Sequence, residues 1–204
     1  MDWRFDSVEE DTRNLIDELK GLSNEEVVSR LDVRRSALEV AIFNVSHDFN
    51  AGTIVRNANN FNVSKVHIVG RRKYNRRGAM CTDKYLSVLY WADISEFLAD
   101  QKARGREVVA IENNVPARVS ITTGDGELVE IDLPAVLPLG TKKFAPDTTL
   151  VFGSESDGIS PELLSGCDDI REIESFGSTR SVNVGVASGI AMYEWARQCL
   201  IKAD

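Results

Sequence analysis

Residues 150–195 decide the fold, and they read LVFGSESDGISPELLSGCDDIREIESFGSTRSVNVGVASGIAMYEW. An apolar strand, Thr149–Phe152, leads into a glycine-rich turn, and a second short strand, Ile170–Ile173, leads into a polar loop of Gly, Ser, Thr and Arg. The stretch ends in a helix of small and apolar residues that we predict over Asn183–Lys202. Glycine in such loops allows tight turns and close approach of the backbone to a ligand. We therefore expect these loops to bind a ligand.

Strand and helix signals alternate along the chain before this stretch. The predicted strands are Leu38–Val45, Val66–Val69 and Glu107–Ile111, and the predicted helices are 51–61 and Asp93–Arg104. Residues 116–132 alternate in polarity around a Thr-Gly-Asp-Gly turn, which predicts an inserted β-hairpin. The alternation of strands with helices indicates an α/β domain over residues 35–204, with a mainly parallel sheet and helices on both faces.

Residues 1–34 precede this domain as a short acidic arm. Apolar residues at helical spacing predict a helix over residues 7–20, and Ser23 is placed to cap a second short helix. The first 33 residues hold ten acidic and four basic side chains. We expect such an arm to bind phosphates poorly, because like charges repel one another.

The composition limits the classes of function. The chain has 204 residues and a net charge of −8, with 43% hydrophobic and 27% charged residues, as in an ordinary globular domain. No apolar run reaches the roughly 18 residues that a membrane span needs, and the N-terminus lacks the apolar core of a signal peptide. The three cysteines form no CxxC pair and only two histidines are present, so we expect a reduced, cytoplasmic protein without a metal site. Motifs for dinucleotide binding, for P-loops and for serine hydrolases are absent.

Three short motifs occur in order, each with a predicted strand before it. The motifs are Asn50-x-Gly52 with Arg56, then Phe152-Gly153-Ser154-Glu155 with Gly158, and then Ser181-Val182-Asn183-Val184. Taken singly, each motif is equally typical of an ordinary capped helix or a solvated loop that has no catalytic role. Together they resemble the signature motifs of the SPOUT superfamily of methyltransferases, in the SpoU/TrmH branch of RNA ribose 2′-O-methyltransferases. The resemblance covers about residues 38–198, and it departs from the family pattern at Glu174, where proline is common, and at Val182, where leucine is usual.

The resemblance implies a C-terminal deep trefoil knot whose loops bind S-adenosylmethionine. The residues that it assigns to this cofactor are Gly153, Gly158, Ile173, Phe176, Gly177, Ser181, Val182 and Asn183. It also implies a homodimer that is packed through the knot region and the last helix. That helix is apolar or small nearly all round, which equally fits burial within one chain.

The resemblance also implies in-line transfer of a methyl group to a ribose 2′-hydroxyl. The residues that it assigns to catalysis are Arg56, Asn50, Glu155, Ser181 and Asn183. A guanidinium is a poor base, because its pKa exceeds about 12. We expect Arg56 to orient the hydroxyl and to stabilise negative charge that develops on its oxygen, while the other four residues position Arg56 and the ribose.

A basic segment follows the strand Val66–Val69. Residues 65–84 hold seven basic side chains and one acidic side chain, a pattern that on its own usually marks a solvated charge run. Beside the first motif it favours contact with RNA phosphates, with Tyr74 stacking on a base. The residues assigned to RNA are Arg71, Arg72, Lys73, Tyr74, Arg76, Arg77 and Arg180. Neither DNA nor a membrane is an expected partner.

The sequence does not identify the RNA. The loop Phe176–Ser181 resembles members of the family that act on tRNA guanosine, which favours tRNA, and rRNA is the second candidate. Two other functions are compatible with the motifs: a non-catalytic RNA-binding protein of this fold, and a SPOUT methyltransferase that modifies bases. The joint presence of Arg56, Ser181 and Asn183 favours ribose methylation.

Overall fold

The computed structural model describes residues 11–44, 49–154 and 157–201. The strands are β1 (Glu39–Asn44), β2 (Lys65–Gly70), β3 (Val88–Trp91), β4 (Glu107–Ile111), β5 (Arg118–Thr122), β6 (Leu128–Asp132), β7 (Val136–Pro138), β8 (Thr148–Phe152) and β9 (Asp169–Glu172). The α-helices are α1 (Asn24–Asp32), α2 (Asn50–Asn60), α3 (Ile94–Ala103), α4 (Pro161–Ser165) and α5 (Val184–Cys199). Short 3-10 helices cover Asp17–Leu19, Arg76–Ala79 and Thr82–Tyr85.

Seven of the strands form one sheet in the order β3-β2-β1-β8-β4-β9-β7. Each pairing between neighbouring strands of this sheet is parallel. Because the strands are parallel, their carboxyl ends share one edge, which is where ligands bind in open α/β sheets. The carboxyl ends of β1, β8, β4 and β9, four neighbouring strands, therefore lie side by side. In the sequence, the first two motifs and the polar loop before the third come after these ends.

Helices cover both faces of this sheet. Helices α2 and α5 pack on one face around a core that includes Ile54 and Trp195. Helices α3 and α4 pack on the other face, where Phe97 is fully buried. Alternate residues of the central strands serve the two cores, as in β1, where Val40 belongs to the first core and Ala41 to the second. The predicted α/β architecture with helices on both faces is confirmed.

Three short elements add to the predicted ones. Strand β3 has four residues, β7 has three and helix α4 has five, which is too few for a periodic pattern to be recognised. Strands β5 and β6 pair antiparallel, so the predicted hairpin is confirmed. Within the described ranges, no helix has the length and the apolar character needed to cross a membrane.

The N-terminal arm is folded, although not as the predicted helix over residues 7–20. Of that segment the structure describes residues 11–20, which contain a single short 3-10 turn, so the prediction is wrong there. The Asp11 carboxylate accepts hydrogen bonds from the backbone N–H groups of Arg13 and Gly21, at 3.0 and 2.9 Å, and pairs with the Arg13 guanidinium. Such side-chain bonds to the backbone compete with helical hydrogen bonds and close the segment into a loop.

The second predicted helix of the arm is confirmed as α1. The Ser23 hydroxyl accepts a hydrogen bond from the Glu26 backbone N–H, and the Glu26 carboxylate accepts one from the Ser23 backbone N–H, which together form a capping box. Leu19 of the arm and Val27 of α1 pack against Tyr85 in a small separate core. The arm is thereby attached to the 3-10 segment that contains Tyr85.

A buried ion cluster lies at the amino end of β1, away from the loops. The Glu39 carboxylate accepts two hydrogen bonds from Arg104, at 2.7 and 2.6 Å. The Trp91 indole donates to His67 Nδ1 at 2.9 Å, so the proton of the neutral ring is on Nε2, which donates to Glu39 at 2.7 Å. Burial by itself would raise the pKa of Glu39, but the bonds from Arg104 and His67 outweigh it and hold the pKa well below its usual range.

The change Glu39→Gln is expected to lower the free energy of unfolding by about 3 kcal/mol at neutral pH, because Arg104 keeps only its pair with Asp100 and the buried Arg106 loses the carboxylate that lies 3.4 Å away. The folded-state pKa of Glu39 lies below its unfolded value of about 4.3, so this stabilisation is complete above that pH and is lost as the pH falls further. Urea denaturation at neutral pH and near pH 3 measures the difference between the two proteins, which should shrink at the lower pH. Asp132→Asn, which breaks an exposed pair with Arg118, is the control. Equal losses in both variants would contradict the prediction.

Candidate active site

Asn183 joins the first and the third motifs. Its side-chain N–H group donates a hydrogen bond to Asn50 Oδ1 at 2.9 Å, and Asn50 is the first residue of α2. The Oδ1 atom of Asn183 accepts hydrogen bonds from the backbone N–H groups of Gly185 and Val186, at 2.9 and 3.3 Å. Asn183 is therefore the N-cap of α5 and, at the same time, fixes the start of α2.

Replacing Asn183 by alanine is expected to lower the free energy of unfolding by about 1 kcal/mol, because α5 loses its cap. Asn183→Asp should keep most of that stability, since a carboxylate accepts the same two bonds at the positive end of the helix. Urea denaturation of the two variants measures the difference. Equal destabilisation by both changes would show that the capping bonds contribute nothing.

The second motif forms a closed turn after β8. The backbones of Ser154 and Gly158 exchange two hydrogen bonds, at 3.1 and 3.0 Å, and the Ser154 hydroxyl accepts one from the Asp157 N–H at 3.1 Å. A side chain at Gly153 would come within 2.2 Å of the Gly158 backbone carbon, so only glycine fits there. Glu155, which we predicted to be catalytic, lies outside the described residues.

Two residues that follow β4 hold these loops together, although neither belongs to a sequence motif and neither was predicted. The Asn113 side-chain N–H group donates to the backbone oxygens of Ile173 and Arg180, at 3.0 and 3.2 Å, which ties the two ends of the polar loop together. The Glu112 carboxylate accepts a hydrogen bond from the Ile159 backbone N–H at 3.1 Å, and burial raises its pKa. Their place at the carboxyl end of a central strand is the signal that identifies them as candidates.

A cavity of about 290 Å³ lies between these loops, and we call it the loop cavity. Its lining residues are Ile111, Glu112, Asn113, Gly153, Ser154, Gly158, Ser181, Val182, Asn183, Val184 and Ala187. The residues predicted to bind a cofactor that it brings together are Gly153, Gly158, Ser181, Val182 and Asn183. Of the remaining predicted residues, Ile173 packs against the core, while Phe176 and Gly177 do not line the cavity and Phe176 is 92% exposed.

Arg56 lies about one and a half helical turns after Asn50 and is exposed. It does not line the loop cavity but a second cavity, beside the N-terminal arm. Gly52 of α2 packs directly against the backbone of Gly78, which lies in the 3-10 segment Arg76–Ala79. A side chain at Gly52 would come within 2.6 Å of the Asn75 backbone oxygen. This contact holds the basic loop against α2, on the helical face that carries Arg56.

The basic loop after β2 presents its charge to solvent. The residues predicted to contact RNA that are exposed are Arg71, Arg72, Lys73, Arg76, Arg77 and Arg180. Tyr74 is buried, and burial raises its pKa to about 12, so it does not offer the stacking surface that we predicted. Tyr90 is exposed instead, and the Arg72 guanidinium lies 4.8 Å from the centre of its ring. Arg76 is ion-paired with Asp83, which reduces the positive charge that is available to attract a phosphate.

The chain is similar to known proteins over most of its length. It matches the family model described as the SpoU rRNA Methylase family over residues 37–193. It is 27% identical over 172 residues to the tRNA (guanosine(18)-2'-O)-methyltransferase of Aquifex aeolicus, which covers 82% of this chain and 72% of the relative. The structure resembles that of the A. aeolicus TrmH/SpoU tRNA modifying enzyme with a TM-score of 0.66 and 24% identity, covering 86% of this chain and 81% of that chain. It also resembles the AdoMet-bound rRNA methyltransferase from Sinorhizobium meliloti, with a TM-score of 0.64, 22% identity and coverage of 80% and 57%.

The likeness extends to only part of some relatives, since the chain spans 26% and 48% of the length of two other curated proteins that it matches. The likeness to the solved structures is a likeness of fold. The family match covers more than the fold, because residues 37–193 include all three motifs, the strands before them and the residues that line the loop cavity. The chain therefore belongs to the SpoU rRNA methylase family.

Proposed function

We propose that this protein transfers the methyl group of S-adenosylmethionine to the ribose 2′-hydroxyl of a nucleotide in tRNA. The observation that carries the proposal is the hydrogen bond from Asn183 to Asn50, which links the loop cavity to the helix that presents Arg56. Membership of the family and the names of its tRNA-modifying relatives support the same chemistry. The proposal also places the reaction in the cytoplasm.

The loop cavity fits S-adenosylmethionine in its chemistry. Gly153 and Gly158 leave the backbone bare at one wall, so main-chain groups can approach the ligand closely. The Glu112 carboxylate lines the cavity and complements the positive charge of a sulfonium or an amino group. Ser181 and Asn183 add polar groups, and Val182 adds an apolar wall. When bound, the cofactor supplies an electrophilic methyl group on a positively charged sulfur.

Arg56 is the residue that acts on the ribose. Its guanidinium donates hydrogen bonds to the 2′-oxygen and stabilises the negative charge that develops there as the hydroxyl proton passes to solvent water, which reaches the exposed Arg56. Asn183 and Asn50 set the position of α2 relative to the loop cavity, so that the ribose is held between the two. Glu174, the departure from the family pattern, is exposed and does not line the loop cavity.

The methylation itself is tested with purified protein, S-adenosylmethionine carrying a labelled methyl group and, in separate reactions, tRNA and rRNA from a strain that lacks the gene. Nucleoside mass spectrometry is expected to find the label on the ribose of a tRNA nucleoside. Label on a base would identify a base methyltransferase, and label in rRNA alone would replace tRNA as the substrate. RNA binding without labelling, combined with no heat of S-adenosylmethionine binding in calorimetry, would identify the non-catalytic alternative.

The exposed part of the basic loop is proposed to bind the RNA backbone. Replacing Arg71, Arg72 and Arg77 together by alanine is expected to weaken tRNA binding and to reduce the slope of log K against log salt by about 2. Binding measured between low and moderate salt gives that slope. The control is Lys102→Ala, an exposed cation on α3, which packs on the other face of the sheet. An unchanged slope in the triple variant would remove this surface from the proposal.

We further propose that the C-terminal segment forms the deep trefoil knot that the resemblance implies. The path of the chain supports this: β8 lies in the middle of the sheet, β9 lies two strands away, and α5 returns to pack against α2 and β8. An experimental density map in which this segment passes through no loop would overturn it.

A homodimer through α5 is also proposed. Val186, Ile190 and Tyr193 recur at helical spacing and are 54%, 39% and 55% exposed, which forms an apolar stripe on one face of the helix. Light scattering is expected to give twice the mass of the chain, and Ile190→Glu is expected to halve it. Leu128→Glu, a change at an exposed apolar residue of the hairpin, should leave the mass unchanged. A wild-type mass of one chain at all concentrations would contradict the dimer.

A further inference from the structure

A second cavity, of about 430 Å³, lies between the N-terminal arm, α2 and the segment after the basic loop. We call it the arm pocket. Its volume falls in the range of sites that hold small ligands, which is roughly 300–1,000 Å³. The arm contributes Arg13 and Asn14 to its lining, α2 contributes Arg56, and the following segment contributes Met80 and Lys84.

The arm pocket is basic in an acidic protein. Of the described residues that line it, Arg13, Arg56 and Lys84 are cationic and none is acidic, although the whole chain has a net charge of −8. Arg13 is paired with Asp11, whereas Arg56 and Lys84 have no ion-pair partner within the described ranges. The arm, which we expected to bind phosphates poorly, thus helps to enclose a site that favours an anionic ligand.

The arm pocket also offers the groups that recognise a nucleobase. The Asn14 amide lines it and can donate and accept hydrogen bonds. The Thr82 hydroxyl also lines it and can accept one, since its own proton is donated to the Ala79 backbone oxygen at 2.7 Å. Leu15 and Met80 add apolar contact area. Met80 and Cys81 have left-handed backbones, with φ of 49° and 65°, a conformation that is uncommon for residues other than glycine and concentrates at functional sites.

The wall that the arm provides is held in place before any ligand binds. The Arg13 guanidinium donates to the Asn24 side-chain oxygen at 3.0 Å and to the Leu22 backbone oxygen at 2.5 Å. The small core around Tyr85 attaches the same segment to the opposite wall. A wall that is already ordered loses little conformational freedom on binding, which favours selective recognition.

We propose that the arm pocket binds the nucleotide whose ribose is methylated, and that Asn14 of the arm is a specificity-determining residue for its base. The inference rests on the proposed function and deepens it, because Arg56 lines the same pocket and so lies beside the ribose. The arm precedes the residues that match the family model, which begin at residue 37. The wall of the pocket that Asn14 contributes therefore lies outside the family match, whereas the wall with Arg56 and Met80 lies inside it.

Binding of the nucleotide alone can be observed at Met80. The chain has three methionines, Met1, Met80 and Met192, so a ¹³C-methyl label gives few and separable signals. Titration with each of the four ribonucleoside 5′-monophosphates is expected to shift the Met80 signal, to leave the buried Met192 signal in place, and to show at least threefold preference for one base. Asn14→Asp, which adds a carboxylate to the pocket, is expected to abolish the shift.

The same variant tests the pocket with tRNA. Asn14→Asp is expected to raise the KM for tRNA about tenfold and to leave the dissociation constant of S-adenosylmethionine unchanged. Lys102→Ala is the matched control, because it changes the net charge of the protein by the same amount on the other face of the sheet. It should methylate tRNA like the wild type.

The two experiments separate the inference from the function on which it rests. Wild-type tRNA methylation, with a KM for Asn14→Asp equal to that of Lys102→Ala and a stationary Met80 signal, would overturn the arm pocket and leave the function standing. A wild-type protein that does not methylate tRNA would overturn the function, and the Met80 titration then decides by itself whether the arm pocket binds a nucleotide.

Discussion

The variant Arg56→Lys is expected to methylate tRNA about 100-fold more slowly than the wild type, with the affinity for S-adenosylmethionine within about twofold of the wild-type value. Lysine keeps the positive charge, but it replaces a planar fork of donors by one mobile ammonium group, so the 2′-oxygen is held less well as its charge develops. Arg56 does not line the loop cavity, so we expect the change to leave the affinity for the cofactor nearly unaltered. Single-turnover kinetics and calorimetry measure the two quantities separately.

A suitable control is Arg30→Lys, which makes the same exchange at an exposed position of α1. It should turn over at the wild-type rate. If Arg56→Lys also kept a rate within threefold of the wild type, Arg56 would not be the residue that acts on the ribose. A loss that appears only in KM would instead assign Arg56 to substrate binding, because the interaction would then be equally strong before and during the reaction.

The variant Gly153→Ala is expected to lose S-adenosylmethionine binding by at least about 100-fold and to lower the free energy of unfolding by about 3 kcal/mol. A methyl group at this position would lie 2.2 Å from the Gly158 carbon and 2.5 Å from its oxygen. Both are backbone atoms of the closed turn after β8, so they cannot rotate away as a side chain would. The turn must open, and it forms one wall of the loop cavity.

Calorimetry and urea denaturation of the same sample separate loss of the site from loss of the fold. Gly124→Ala is the control, since a side chain at Gly124, in the hairpin turn, would have no atom within 4 Å. Its stability and its cofactor binding should match those of the wild type. A Gly153→Ala protein with unchanged affinity would mean that the loop cavity is not the cofactor site.

The sheet and the loops that carry the motifs could be predicted from the sequence because the signals are local. Strands such as β4 and β8 are short apolar runs bounded by turn residues, and the glycines of the second motif mark a place where the backbone must turn tightly. The pairing of Asn50 with Asn183 spans most of the chain, and only the resemblance suggested that the two motifs share a site.

The remaining features depend on contacts that no local pattern encodes. Tyr74 lies among basic residues in the sequence, yet its ring is buried. Leu15 and Leu19, two of the residues whose spacing predicted a helix in the arm, pack around Tyr85, while Asp11 bonds to the backbone and closes a loop. Glu112 and Asn113 belong to no motif, and they enter the site because β4 ends beside β8 and β9.

Helix α2 acts as a rigid spacer between Asn50, which is tied to the loop cavity, and Arg56, which lines the arm pocket. Inserting or deleting one residue between them would turn Arg56 by about 100° around the helix axis while the Asn50 contact stayed in place. Insertions in the turn of the β5–β6 hairpin would cost little stability, since this turn is an exposed loop. The number of residues from 50 to 56 is under a stricter constraint. A change of length there separates the two halves of the site, even when every functional side chain is retained.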